Sequence, residues 1–243
     1  MKIFADYHTH TIYSHGKGTI RQNVEEAVRK GLREVVITDH GPGHFTYGVK
    51  RKNFKKMREE IDKLSKEYNN IKIMLGVEAN LISCDGDIDV NEEDMKYFDK
   101  LLVGYHNGAI PKSFGDLYKL FIRNQFSKVL PFLRASNRKI VTDAMIKAIN
   151  RYDIDIITHP GAKADIDTRE LAKAAAKRGT LLEINSSHGY MTVEYVKIAM
   201  SEGANFAIDS DAHVPENVGN CRKGIDVAIK AGLPVERIAN AEE

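Results

Sequence analysis

Seven short apolar runs rich in β-branched residues, separated by helical patterns, leave few folds open to this chain. The runs lie at about 2–7, 34–38, 71–77, 101–105, 154–158, 180–184 and 205–209, and the helical patterns near 20–30, 53–68, 91–98, 142–150, 168–178, 192–202 and 216–231. That alternation predicts a parallel sheet with right-handed crossovers. Four of the helices stop on glycine (Gly31, Gly179, Gly203, Gly232) just before a strand, as the left-handed C-terminal cap requires. Helix starts agree: Thr19 with Gln22 forms a capping box, Asp167 with Glu170 resembles one, and Pro215 suits a first turn. On the pattern 53–68, Phe54, Met57, Ile61 and Leu64 recur at helical spacing, the mark of an outer helix packed on a sheet.

An open doubly wound sheet and a closed barrel both satisfy this pattern. No glycine-rich phosphate loop follows the first strand, which disfavours the dinucleotide-binding form. Polar residues decide for the barrel, because they fall at the carboxyl end of every strand: His8 and His10, Asp39 and His40, Glu78, His106, His159, Glu183 and Asn185, Asp211 and His213. Such residues converge on one mouth only if the sheet closes. The expected fold is a distorted seven-stranded (β/α)7, TIM-like barrel spanning 1–243 as one domain. The irregular stretch 107–141, with Pro111, Pro131 and a helix near 115–128, is read as an insertion.

The 243 residues carry a net charge of +2, which offers no electrostatic case for nucleic acid as a partner. Two cysteines, Cys84 and Cys221, lack C-x-x-C spacing and suit a reducing cytoplasm. No stretch approaches the ~20 apolar residues of a membrane span. A cytoplasmic location is expected, and a homo-oligomer stays open.

His8 and His10 sit at i and i+2 on a strand, so both can aim at one point. An H-x-H pair alone is equally well explained as two ordinary histidines, and each histidine taken singly is more often a surface or core residue. The whole set, His8, His10, His15, His40, Glu78, His106, His159, Asp211 and His213, is a different matter. Imidazole with carboxylate and no thiolate suits zinc, manganese or iron in an open site. Nine ligands fit two or three divalent ions, with zinc first. Such ions can turn a bridging water into hydroxide and clamp a phosphoryl oxygen, which points to phosphate-ester hydrolysis.

The motifs H-T-H (8–10), His15, T-D-H-G (38–41), G-V-E-A-N (76–80), His106, T-H-P-G (158–161), E-I-N-S-S (183–187) and D-S-D-A-H (209–213) resemble the PHP (polymerase and histidinol phosphatase) family. The likeness is strongest to its small stand-alone bacterial phosphatases with a trinuclear site, and it runs from Asp6 to about Asn240. It implies that His8, His10, Glu78 and Asp211 hold one ion, His15, His40 and His213 a second, and Glu78, His106 and His159 a third, with Glu78 bridging. The segments after His106 and after Ser187 depart from the family pattern, and both border the mouth.

His44 and His188 lie near the mouth outside the ligand motifs and are candidate substrate contacts; Asp6 and Asp39 are candidates for orienting ligand histidines. The run Asp85-Gly86-Asp87-Ile88-Asp89 lacks the glycine and glutamate of a calcium loop, having Val90 and Lys96 there. No cysteine-phosphatase spacing and no G-x-S-x-G elbow is present, so covalent catalysis has no nominee. Lys17, Lys50, Arg51, Lys112, Arg134 and Lys163 read as ordinary surface charges. The expected function is a metal-dependent phosphatase acting on a small phosphomonoester by attack of a metal-bridging hydroxide. A phosphodiesterase or 3′ exonuclease is the alternative, since relatives of this domain sit beside DNA polymerases. A non-catalytic metal-stabilised regulatory module is the third reading, against which the intact ligand set argues.

Overall fold

The first apolar run splits in two in the computed structural model, which describes residues 1–243. Strand β1 (Lys2–Ile3) pairs antiparallel with the last strand, β9 (Ala241–Glu242), while β2 (Ala5–Thr9) opens the main sheet. The sheet continues through β3 (Glu34–Ile37), β4 (Lys72–Asn80), β5 (Lys100–Gly104), β6 (Ile156–Ile157), β7 (Leu181–Asn185) and β8 (Phe206–Asp209). These seven strands are hydrogen-bonded in sequence order and every neighbouring pair is parallel.

The two edges meet, so the sheet is a nearly closed barrel, as expected. Thr9 bridges Ala212 in parallel, and the His10 amide donates to the Ala212 carbonyl at 2.8 Å. Lower down, side chains complete the seam where the strands diverge. Asn240, fully buried, donates to the carbonyls of Ala5 (2.9 Å) and Ile208 (2.8 Å) and accepts from the Ile208 amide (3.0 Å). The carboxylate of Asp209 accepts from the Tyr7 amide at 2.8 Å. Buried backbone groups must find partners, and here a distant asparagine supplies them.

Outside the barrel lie α1 (Ile20–Arg29), α2 (Phe54–Glu67), α3 (Glu92–Met95), α4 (Phe114–Asp116), a π-helical segment (Leu117–Ile122), α5 (Arg123–Val129), α6 (Pro131–Arg151), α7 (Thr168–Arg178), α8 (Val193–Ser201) and α9 (Arg222–Ala231). Thr19 and Gln22 form the capping box, and Asp167 accepts from the Glu170 amide. Gly31, Gly179, Gly203 and Gly232 all have positive φ. Helix α2 buries Phe54, Met57, Ile61 and Leu64, each such side chain contributing roughly 1.5–3 kcal/mol. No helix is long and apolar enough to cross a membrane.

Three local readings need correction. The helix expected over 216–231 starts only at Arg222; Pro215–Asn217 is a separate 3-10 turn, and the chain breaks at Gly219, whose φ is 72° and whose amide donates to Asp6. The helix expected over 142–150 is the second half of α6, which Pro131 starts at its first turn and which runs unbroken across position 141. Strand β6 has two residues where five were expected, and just past its mouth end His159, at φ 30°, turns its amide to Glu183.

Candidate metal centre

Strand β4 carries the logic of the interior. Met74 packs with Ala5, Val36, Leu102 and Ala207 as an apolar floor, while Ile73, Leu75, Val77 and Ala79 alternate outward into the helical layer. On the same face as Met74, two-residue steps lead to Gly76, Glu78 and Asn80, all at the mouth end. Glu78 pairs with Leu102 on β5, and Gly104, opposite Asn80, leaves room beside the Glu78 carboxylate: a Cβ there would stand 2.4 Å from Thr158 Oγ1 and 3.1 Å from Glu78 Oε1. The other strand ends deliver His8, His10, His40, His106, His159 and Asp211 around it, all buried. His159 and Asp211 are the two non-glycine residues with positive φ, at 30° and 52°. Strain of that kind persists where surrounding structure enforces it, commonly at functional sites.

Glu78 stands among five imidazoles. Its Oε1 lies 2.8 Å from His159 Nε2, 3.1 Å from His106 Nε2 and 3.4 Å from His8 Nε2; its Oε2 lies 2.8 Å from His40 Nδ1 and 3.7 Å from His10 Nε2. Asp211 Oδ1 is 3.3 Å from His10 Nε2, 3.4 Å from His213 Nδ1 and 3.7 Å from His8 Nε2. His15, His213, His10 and His40 form a further group with ligand atoms within 4.8 Å of one another. All nine sequence candidates are therefore together, in overlapping groups in which His10 and His40 each face two neighbouring sets. Ligand atoms bound ~2.1 Å from one ion stand roughly 3–3.5 Å apart, and the distances here, 2.8–3.7 Å, bracket that spacing.

The donor chemistry passes a second test. Buried polar atoms are normally hydrogen-bonded. Yet His10 Nδ1, His15 Nδ1, His40 Nδ1 and Glu78 Oε2 have no hydrogen-bond partner; His40 and Glu78 are close but not aligned for one. A divalent cation satisfies such lone pairs, and the residues fit one.

Metal binding needs neutral imidazole and ionised carboxylate, a condition that His10, His15, His106, Glu78 and Asp211 meet, while facing carboxylates favour the protonated form of His8 and His159. Burial holds His10 well below the usual histidine value and His106 at about 4. His15 falls to about 3, burial being reinforced by His213 and His40. Burial opposes ionisation of Glu78 and Asp211, but the facing imidazoles outweigh it, and both carboxyls lie well below their usual range. Burial also disfavours charge on His8, where Glu183, Glu78 and Asp211 prevail and raise it; His159 is raised mainly by Glu78 against the same burial. The field at this end of the barrel attracts positive charge.

Several orienting groups escaped the sequence reading. Glu183 accepts from His8 Nδ1 at 2.7 Å, which turns Nε2 toward Glu78, and its other oxygen takes the His159 amide at 2.5 Å. Asn80 Oδ1 contacts His106 Nδ1 at 2.8 Å, and Thr158 donates to Glu78 Oε1 at 2.8 Å. The available signal was an acid inside the apolar run Leu182-Glu183-Ile184. Asp6 and Asp39 were expected to orient ligand histidines, and neither carboxylate reaches an imidazole ring. Asp6 accepts from the amide of ligand His8 (3.4 Å) as well as from Ser210 and the Gly219 amide, and Asp39 from Thr11 and Ser14. Each carboxylate holds a ligand-bearing loop by its backbone and hydroxyls, because the rings beside them already point into the mouth.

Above the cluster opens a cleft of about 510 Å³, walled by ligand residues together with His44, Tyr47, Asn107, Lys163 and His188. His188 Nε2 is 3.3 Å from Asp211 Oδ2. His44 Nδ1 accepts from the Tyr47 amide at 3.1 Å, which leaves its proton on Nε2. Tyr47 stacks on His15 at 4.3 Å. Of the basic residues considered, Lys163 reaches the cleft, whereas Arg51 pairs with Asp94 and Lys112 with Asp87.

Residues 6–187 match the model of the PHP domain family. A "probable phosphatase" of Shewanella frigidimarina is 31% identical, the alignment covering 99% of this chain and 90% of that one. A "probable phosphatase" of Thermoanaerobacter is 31% identical over 100% and 92%. Among solved structures, histidinol phosphate phosphatase of Lactococcus lactis, complexed with zinc, L-histidinol and phosphate, superposes with a TM-score of 0.66 at 17% identity, covering 96% and 95% of the two chains. At that identity the superposition speaks for the fold.

Proposed function

Because this chain belongs to the PHP domain family and is a phosphoesterase of that family, we propose that it hydrolyses a small phosphomonoester with the help of two to three divalent ions, zinc first and manganese or iron next. The observation that carries this reading is Glu78, whose two oxygens face different imidazole sets: His8, His106 and His159 on one side, His10 and His40 on the other. A carboxylate so placed suits a bridge. Asp211 with His8 and His10 would complete one set, His15, His40 and His213 a second, and His106 with His159 a third. Bound there, such ions lower the pKa of water and stabilise the charge on the entering and leaving oxygens of an in-line displacement.

The remaining roles fall to the chain itself. Glu183 and Asn80 hold His8 and His106 in the tautomers that aim Nε2 inward. Lys163 supplies the cleft wall with one cation, which suits a single phosphate group rather than a nucleic-acid strand. His44 and His188 line the cleft beside the ligand residues, which supports a role for both in contacting the substrate. A cleft of about 510 Å³ is of small-molecule size.

The test is metal content per chain measured beside turnover on a panel of phosphomonoesters and diesters, before and after chelation. We expect at least two ions, monoester preference, loss of turnover on chelation and recovery on returning zinc or manganese. A full metal complement with diester preference moves the reading to a phosphodiesterase. No metal and no turnover on either class overturns it.

A further inference from the structure

The helical rod formed by α4, the π segment and α5 has a buried side and an opposite side lined by exposed apolar residues. Its inner side is buried: Phe121 stacks on Tyr105 with ring centres 5.6 Å apart, and Asn124, held by Asn137, donates to the Lys163 carbonyl at 3.0 Å. The rod is therefore a fixed part of the molecule. Its outer side presents Phe114 (91% exposed), Tyr118 (56%), Ile122 and Phe126 (53%) at four-residue intervals, followed at the tip by Val129, Leu130 and Phe132 (77%). An i, i+4 series drifts about 40° per step around an α-helix. The wider turn of the π segment, Leu117–Ile122, turns the series back, so one continuous ridge results. An apolar row on the side of a helix that faces away from its own core calls for a second surface to cover it.

We propose that a second copy of this chain covers that ridge, giving a two-fold symmetric dimer. Taking roughly 200 Å² per ring, the exposed aromatic surface alone comes to roughly 550 Å², and the aliphatic residues bring the face to roughly 800 Å². That exceeds the ~300–600 Å² of the largest apolar patch on a typical monomer and matches the ~800 Å² per partner of a standard interface. The ridge is also self-complementary: rows spaced by four residues interdigitate with rows of the same kind, the commonest helix–helix packing. An anionic lipid surface would call for cations fanned beside the ridge. Arg123, Lys128 and Arg134 bond only neutral groups (Ser136, Gln125 and the carbonyls of Ser127 and Lys128) and keep their charge, as does the exposed Lys119, so the self-complementary row is what favours a second copy, and vesicle flotation separates the two.

Sedimentation equilibrium of the full chain at about 50 µM, above the weak end expected of such an interface, tests this. The wild type should have twice the mass of one chain. Ile122→Glu and Phe126→Glu should each have the mass of one chain while keeping the wild-type circular dichroism spectrum. Ile229→Glu, a control at an exposed apolar position on α9, should remain a dimer. If either rod variant unfolds, Phe114→Ser, at the most exposed position, should still weaken dimerisation at least tenfold. A wild type of single-chain mass, or a dimer that survives both rod substitutions, overturns the proposal. So does a single-chain wild type that floats with anionic phospholipid vesicles, which would assign the ridge to a membrane surface.

Discussion

The mouth of the barrel and the rod over 114–129 break the ordinary burial rule in opposite directions. At the mouth, imidazoles and carboxylates are buried with lone pairs that have no hydrogen-bond partner. On the rod, phenylalanine, tyrosine and isoleucine are exposed along a rigid ridge. Informative departures of this kind are the buried polar group and the large exposed apolar patch, not the scattered surface leucine. The difference between them names what each region takes: cations where lone pairs converge, another apolar surface where rings stand in water. The strength of support also differs. The mouth is held by strand ends and by partners far away in sequence, such as Glu183 on His8, whereas the rod depends on the packing of one inner side.

The largest effect should come at the mouth. Glu78→Gln removes the charge and one good acceptor from the residue that faces both ligand sets, so turnover should fall by roughly 10²-fold or more, each ~1.4 kcal/mol being tenfold. Metal content should fall with it while circular dichroism is retained. Wild-type turnover with full metal would dissolve the contrast by making the mouth merely structural. Next, Glu183→Gln leaves every proposed ligand in place but loosens the hold on His8; metal affinity and turnover should drop roughly 10- to 100-fold. An unchanged metal titration would reduce Glu183 to a packing residue.

On the rod the two sides can be separated. Leu120→Ala, on the buried side, should destabilise the fold by roughly 2–5 kcal/mol in denaturant titration. Ile122→Ala, on the exposed side, should change it by less than about 0.5 kcal/mol when measured dilute enough to dissociate any dimer. Equal costs at the two positions would show that the ridge is part of the core. The smallest effect is the control: Glu92→Gln, an exposed charge on α3, should leave turnover within about twofold.

Much of this was legible because it is local. Strand and helix alternation, the glycine stops at Gly31, Gly179, Gly203 and Gly232, the Thr19 cap and the buried stripe of α2 all follow from the conformational preferences and periodicity of neighbouring residues. The histidines at strand ends were legible for the same reason: once seven parallel strands close, their carboxyl ends must share one mouth. What the sequence by itself determined was therefore the parallel barrel and the identity of the side chains brought to its rim. Tertiary structure alone decided which of them touch. It set Glu78 between two imidazole sets, put Glu183 behind His8, turned Asp6 and Asp39 to loops instead of rings, and let Asn240 close the seam between β2 and β8. It also decided that one side of the rod is core and the other faces solvent, because apolar residues on both sides leave no periodicity that distinguishes them. Those contacts join residues up to 235 positions apart, as Asn240 and Ala5 are, and depend on strand register and loop path that no short window of sequence encodes.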